Sequence, residues 1–160
     1  MIIRTASLED LDAITKIEQV CFPAAEAADR ASFCERLTYY PNHFWLLTDQ
    51  EKIVGFVNGM VTDARDLSDE MYERASLHDE NGAWQMIFGV DTIPEYRRQG
   101  CAGRLLLHVI EEGREQKRSG LVLTCKEKLI PYYSKFGFVN EGVSESVHGN
   151  VIWYQMRLTF

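Results

Sequence analysis

The apolar positions change period along the chain, and the changes mark its elements. Met1–Arg4 reads as a short strand. Ser7, with Asp10 three residues on, is a helix start, and Leu11, Ile14, Ile17, Glu18 and Cys21 continue at helical spacing. Phe22-Pro23 breaks that helix. The small residues Ala24–Ala28 lead into a second helix, capped by Asp29, with Phe33, Leu37 and Tyr40 on one face and a stop at Pro41-Asn42. Phe44–Thr48 and Ile53–Val61 flank the polar turn Asp49–Lys52 and predict an antiparallel hairpin. The acidic segment Asp63–Asn81 is the least regular part, a loop with helical turns around Leu67–Arg74.

A strand over Ala83–Val90 follows, then a helix from about Gly103 to Ser119, with Leu105/Val109 and Leu106/Ile110/Gly113 spaced for its buried face. Leu121–Cys125 is a short strand and Leu129–Lys135 a short helix. Phe138–Val147 and Val151–Leu158 close the chain as a pair around the tip His148-Gly149-Asn150. The order β-α-α-β-β-loop-β-α-β-α-β-β predicts an α/β fold, a mixed central sheet flanked by helices.

Between the Ala83–Val90 strand and the following helix lies Asp91-Thr92-Ile93-Pro94-Glu95-Tyr96-Arg97-Arg98-Gln99-Gly100-Cys101-Ala102-Gly103. Gly100, Ala102 and Gly103 add no bulk, and the helix start aims unpaired N–H groups and a positive dipole end at the turn. With Arg97 and Arg98 beside it, the segment suits a pyrophosphate. Gly-x-Gly-x-x-Gly is absent, and no Gly-Lys-Ser/Thr follows, so neither a dinucleotide fingerprint nor a P-loop is present.

The pattern Arg97-x-x-Gly100-x-Ala102 between strand and helix resembles the acetyl-CoA signature of the GNAT N-acetyltransferase superfamily. Tyr133-Ser134-Lys135-Phe136-Gly137-Phe138 resembles the Tyr-x-x-x-Gly-Phe segment of the same superfamily, at the expected separation. Over most of its length the chain is most similar to the arylalkylamine (serotonin) N-acetyltransferase branch, through Phe33–Leu37, Trp45-Leu46-Leu47, Gly55-Phe56-Val57, Asp66–Glu70, Tyr96–Gly100 and Leu123–Phe138. It departs from that branch by lacking a histidine pair on the central strand, where Trp84, Gln85 and Met86 stand.

The resemblance implies one acyl-CoA N-acyltransferase domain over residues 1–160, with acetyl-CoA as co-substrate. Arg97, Arg98, Gln99, Gly100, Cys101, Ala102 and Gly103 would hold the pyrophosphate. Phe88, Gly89 and Val90 would pair with the pantetheine amides, leaving one N–H for the thioester oxygen. Tyr133 would be the general acid for the leaving thiolate. Direct transfer to a primary amine needs no covalent intermediate. The base is not apparent: His78, Asp79 and Glu80 precede the central strand and Asp91 follows it, and all read as solvated loop charges. His43, His108 and His148 read as structural or exposed. A small amine, aromatic ones included, is the leading acceptor, with Phe22, Phe33, Trp45 and Tyr39 as pocket walls. A protein N-terminus of the ribosomal-protein type is the alternative, and a CoA-binding regulatory domain without turnover is a third reading.

Composition narrows the partners further. One domain of 160 residues, 46% hydrophobic and 26% charged, is ordinary for a soluble protein. A formal charge of −7 without a basic stripe argues against nucleic acid and suits a cationic substrate. No apolar run approaches the ~20 residues of a membrane span, and no signal-peptide core is evident, so a cytoplasmic protein, monomer or homodimer, is expected. Cys21, Cys34, Cys101 and Cys125 have no metal-site or dithiol spacing, so reduced thiols and no metal are expected.

Overall fold

Strand pairing explains most of the architecture in a computed structural model that describes Met1–Phe160. β1 (Ile2–Thr5), β2 (Phe44–Asp49) and β3 (Lys52–Asn58) form an antiparallel meander. β2 reads Phe-Trp-Leu-Leu, an unbroken apolar run, because helices and sheet cover both its faces. Trp45, Leu46 and Leu47 are at most 1% exposed.

The central strand is not continuous. The single strand expected over Ala83–Val90 is two, β5 (Trp84–Ile87) and β6 (Gly89–Thr92), separated at Phe88. β6 pairs antiparallel with β3, ending the first sheet in the order β1-β2-β3-β6. β5 belongs to a second sheet, β4-β5-β7-β9-β8, made with β4 (Val61–Thr62), β7 (Gly120–Cys125), β8 (Val139–Val143) and β9 (Tyr154–Thr159). β5 and β7 are parallel, and their pairing stops at Ile87↔Leu123. Beyond that point β6 and the end of β7 diverge. The two sheets open like a V at Phe88.

Five helices cover the sheets: α1 (Leu11–Cys21), α2 (Arg30–Tyr39), α3 (Asp69–Glu73), α4 (Cys101–Glu115) and α5 (Ile130–Ser134). α1 starts as its sequence predicts. The Asp10 carboxyl accepts the Ser7 backbone N–H at 2.9 Å and the Arg4 guanidinium at 2.8 and 2.9 Å. α2 is capped by Asp29, which accepts the Ser32 N–H at 2.8 Å. α4 begins at Cys101, two residues before the expected start, and buries Leu105, Leu106, Val109 and Ile110 against the first sheet and β7.

Within Asp63–Asn81, α3 falls inside the helical turns expected around Leu67–Arg74. Two boundaries differ from expectation. The second hairpin strand ends at Asn58, because Gly59 turns the chain toward β5; β4 then resumes at Val61. The closing pair is shorter than Phe138–Val147 and Val151–Leu158, and residues 144–153 form a long connection with a 3₁₀ turn at His148–Asn150. Side-chain ties hold that connection. Ser146 Oγ and the Val147 N–H both donate to Asp69, the second at 3.0 Å, and the Trp153 indole donates to the His148 carbonyl at 2.7 Å.

Gly59 is the tightest contact between the sheets: a Cβ there would stand 1.8 Å from the Met86 carbonyl oxygen, a backbone atom that cannot yield without moving β5. Gly59→Ala is expected to destabilise the fold by about 2 kcal/mol or more, lowering the melting temperature by about 4–8 °C. Thermal unfolding followed by circular dichroism checks this.

Candidate active site

Residues far apart in sequence meet where the V opens. The mouth is a cavity of about 690 Å³, walled on one side by Phe88, Gly89 and Val90 of the first sheet and on the other by Leu123, Thr124 and Cys125 of β7. β6 is an edge strand there, paired only with β3, so its outer edge offers unpaired backbone groups to an extended ligand. Such an edge suits the amides of a pantetheine arm, as expected for Phe88, Gly89 and Val90.

The turn after β6 lies beyond the cavity lining and leads into α4. Six consecutive backbone N–H groups, from Arg98 through Gly103, donate to no acceptor within the chain. They lie at the N-terminus of the 15-residue α4, where the helix dipole favours an anion. Gly100 has φ +82°, and a Cβ built on it would meet nothing within 4 Å. The turn is held from outside the site: Arg97 Nε donates to the Thr92 carbonyl at 3.1 Å, and Gln99 donates to the Glu95 carbonyl at 3.0 Å. Arg98, at φ +61°, is exposed. Cys101 buries its thiol in the core, so only its backbone is available to a phosphate. Gly103 faces the Phe136 ring and the Tyr132 hydroxyl, 3.4 and 3.8 Å from where its Cβ would stand. These residues fit a pyrophosphate group.

Tyr133 lies on α5 across the cavity from β6, wedged edge-on between Tyr132 at 5.3 Å and Phe138 at 6.0 Å. Its hydroxyl makes no hydrogen bond within the protein. Burial, with smaller contributions from Cys125, Tyr132 and Asp91, holds the phenol well above its ordinary pKa, so the proton stays on oxygen through the physiological range. Cys125 and Cys21 also face the cavity. Burial pushes Cys125 up to about 11 and raises Cys21 as well. Cys21 donates to the Thr92 carbonyl at 3.3 Å, and Cys125 points at Met156 Sδ, 3.6 Å away. Both are thiols rather than thiolates, which disfavours an acyl-cysteine intermediate.

The end of the cavity away from β6 is built by two connections and a short helix. Phe22, Glu26 and Asp29 come from the α1–α2 connection, Asp69, Tyr72 and Glu73 from α3, and Ser146, Val147, His148 and Trp153 from the β8–β9 connection. His148 was expected to be structural or exposed, yet it stacks on Tyr72 at 5.6 Å and hydrogen-bonds the Glu26 carbonyl at 2.7 Å. Lys126 closes the same corner, 2.9 Å from the Glu26 carboxylate and 5.9 Å from the Trp153 ring centroid. Of the expected walls only Phe22 lines the cavity. Phe33 and Trp45 belong to the core, and Tyr39 is 53% exposed on the outer face of α2.

Two further expectations are overturned by burial. Asp91, read as a solvated loop charge, is fully buried on β6. His78 and Glu80 lie away from the cavity, in a cluster with His43. His43 Nδ1 meets Gln85 Oε1 at 2.9 Å, and Glu80 joins His43, His78 and Arg118 at 3.0–3.1 Å. His78 Nδ1 accepts the Val61 N–H at 3.0 Å, so its proton sits on Nε2 and is donated to Glu80. That leaves no lone pair on Nε2 for a metal. Burial lowers His78, while the hydrogen bonds from His78 and His43 hold Glu80 low against the effect of its own burial. The cluster pins the acidic loop to β5.

Glu18, by contrast, lines the cavity, on the apolar face of α1 that carries Leu11 and Ile14. A carboxyl on a buried helical face was the signal available in the sequence. His148 left no such signal, because its place depends on how residues 144–153 fold back.

The family model of the acetyltransferase (GNAT) family matches residues 11–138, so the chain belongs to that family, with acetyl-CoA as co-substrate. Solved structures agree on the fold. The loading GNATL domain of CurA from Lyngbya majuscula superposes with a TM-score of 0.86 at 16% identity, covering 99% of this chain and 96% of that one. The GNAT-like decarboxylase GphF in complex with isobutyryl-CoA gives 0.82 at 22% identity and 99% coverage of both chains. The ribosomal-protein-S18-alanine N-acetyltransferase from Escherichia coli gives 0.73 at 20% identity, covering 99% and 92%. No helix is long and apolar enough to cross a membrane.

Gly100→Asp adds bulk, a negative charge and backbone strain where the six N–H groups converge. Calorimetry on the folded variant is expected to show loss of CoA binding, and near-normal affinity would remove the turn from the site.

Proposed function

We propose that the protein is an acetyl-CoA-dependent N-acetyltransferase that moves the acetyl group directly to a small primary amine. The observation that carries this reading is that the free β6 edge and the unpaired Tyr133 hydroxyl face one cavity, with the N–H-rich turn following directly on β6. The pyrophosphate would rest on residues 98–103 and the pantetheine arm along Phe88–Val90, which brings the thioester to the mouth of the V. A neutral amine attacks the thioester carbon, the C–N bond forms and the C–S bond breaks. Tyr133 gives its proton to the departing sulfur and regains one from the nitrogen, which sheds it on becoming an amide. A backbone N–H at the break would stabilise the oxyanion.

The acceptor loops support a cationic amine with an aromatic body. Carboxylates of Glu18, Glu26, Asp29, Asp69 and Glu73 outnumber the cations Arg36, Lys126 and Lys128 along the cavity, and Phe22, Tyr72, His148 and Trp153 supply ring faces. The resemblance to the arylalkylamine branch agrees with that chemistry. The ties from residues 144–153 to Asp69 and Glu26 roof the acceptor end, which favours a small amine over a protein N-terminus. The free phenol of Tyr133 weighs against a domain that only binds CoA.

Acetyl-CoA consumption and amide formation over a panel of alkyl, aromatic and peptidyl amines tests the reading; no amide product from any of them would refute it. Tyr133→Phe keeps the packed ring and removes the acid. It is expected to lower turnover about 10²–10⁴-fold with little change in acetyl-CoA affinity, and less when the thioester carries a more acidic thiol. Unchanged turnover, with chemistry limiting the rate, would make Tyr133 a packing residue.

A further inference from the structure

An alkyl ammonium must lose a proton before it can attack, and neither Tyr133 nor the central strand takes it. The cavity wall contains one unusual pair. Glu18, 7% exposed, lines the cavity from α1, and Asp91, fully buried on β6, lies within hydrogen-bonding reach of it. Glu18 Oε2 accepts the Ala28 N–H at 2.9 Å, but Glu18 Oε1 and both Asp91 oxygens have no donor in the protein. Two buried carboxylates in contact cannot both stay ionised without a cation between them, so the pair holds a proton. By comparison Glu26, on the α1–α2 connection, is paired with Lys126 at 2.9 Å.

The geometry points to the Glu18–Asp91 pair as the proton acceptor for the amine, with Glu18 the catalytic base facing the substrate and Asp91 its positioning partner. This assignment rests on the amine-acetylation reading above. The pair retains one proton and one negative charge at rest. The incoming ammonium gives a proton to Glu18, leaving both carboxyls neutral, which a buried site favours, and the neutral amine then attacks. Glu18 later releases that proton to solvent. The charged and titratable groups around the pair include Cys21 on α1, Arg36 on α2 and Tyr133 on α5, with Arg97 beside Cys21. The Arg36 guanidinium is held by Asn58 Oδ1 at 2.9 Å and the Tyr72 carbonyl at 3.1 Å, to both of which it donates. Burial and the Glu18 charge hold Asp91 well above the usual carboxylate range, so Asp91 is the member that keeps the resting proton.

The test compares an alkyl amine, charged at pH 7, with a weakly basic amine that is neutral there. Glu18→Gln is expected to lower kcat/KM for the alkyl amine at pH 7 about 10²–10⁴-fold. The loss should close as the pH approaches the amine's own pKa, and activity on the neutral amine should be largely retained. Asp91→Asn removes the carboxyl whose shared proton stabilises the Glu18 charge, so the acid limb of the kcat/KM profile should move to higher pH. Thermal unfolding and acetyl-CoA calorimetry certify the fold of each variant, and Glu18→Asp serves if Glu18→Gln does not fold. Equal losses on both amines, full alkyl-amine activity in Glu18→Gln, or an unmoved limb in Asp91→Asn would overturn the assignment. A wild-type enzyme inert toward every amine would refute amine acetylation itself, whereas an active wild type with an unaffected Glu18→Gln would refute only the proton pair.

Discussion

The divergence of β5 and β6 at Phe88 is the constraint on which the rest of the site depends. Ladder hydrogen bonds hold strands about 5 Å apart, which leaves no room for a ligand within a continuous sheet. The chain therefore transfers its pairing from β7 to β3 at one residue. The Phe88 N–H donates to the Asn58 carbonyl at 2.8 Å, and the Arg36 guanidinium lies over the Phe88 ring at 5.1 Å and the Phe33 ring at 5.3 Å. A buried cation held by Asn58, the Tyr72 carbonyl and two rings fixes the break and ties α2 and α3 to it. The free edge of β6, the cavity and the approach of α5 all follow from that junction.

Charge is graded from the start of α4 to the far end of the cavity. At one end the backbone offers N–H groups and a helix dipole, which suit phosphates in a chain of net charge −7. At the other end carboxylates and rings suit an ammonium. Between them lie groups that burial keeps protonated, the Tyr133 phenol, two thiols and Asp91. The His43–Gln85–Glu80–His78–Arg118 network stands at the far end of β5 and serves the scaffold.

Much of this was legible from residue order. The glycine turn, the amphipathic α1 and α4 and the Tyr133 segment are local patterns, in which spacing alone sets which groups share a face or a helix start. Residues 98–103 lie where their pattern predicts because a helix N-terminus leaves N–H groups unpaired whatever surrounds it. The acidic loop and the last hairpin were less legible, since their conformations depend on ties such as Ser146 to Asp69 and His148 to Glu26, which join segments 77 and 122 residues apart.

The sequence by itself thus determined the main order of elements, the acetyltransferase family and the N–H-rich turn at residues 98–103, which rest on short-range periodicity and backbone geometry. Only the tertiary structure decided that the central strand breaks at Phe88, that His148 and Trp153 line the cavity, and that Asp91 lies buried beside Glu18. The reason is physical: a carboxyl's chemistry is set by what surrounds it in space, and Glu18 and Asp91 acquire their neighbour only when α1 packs across β6.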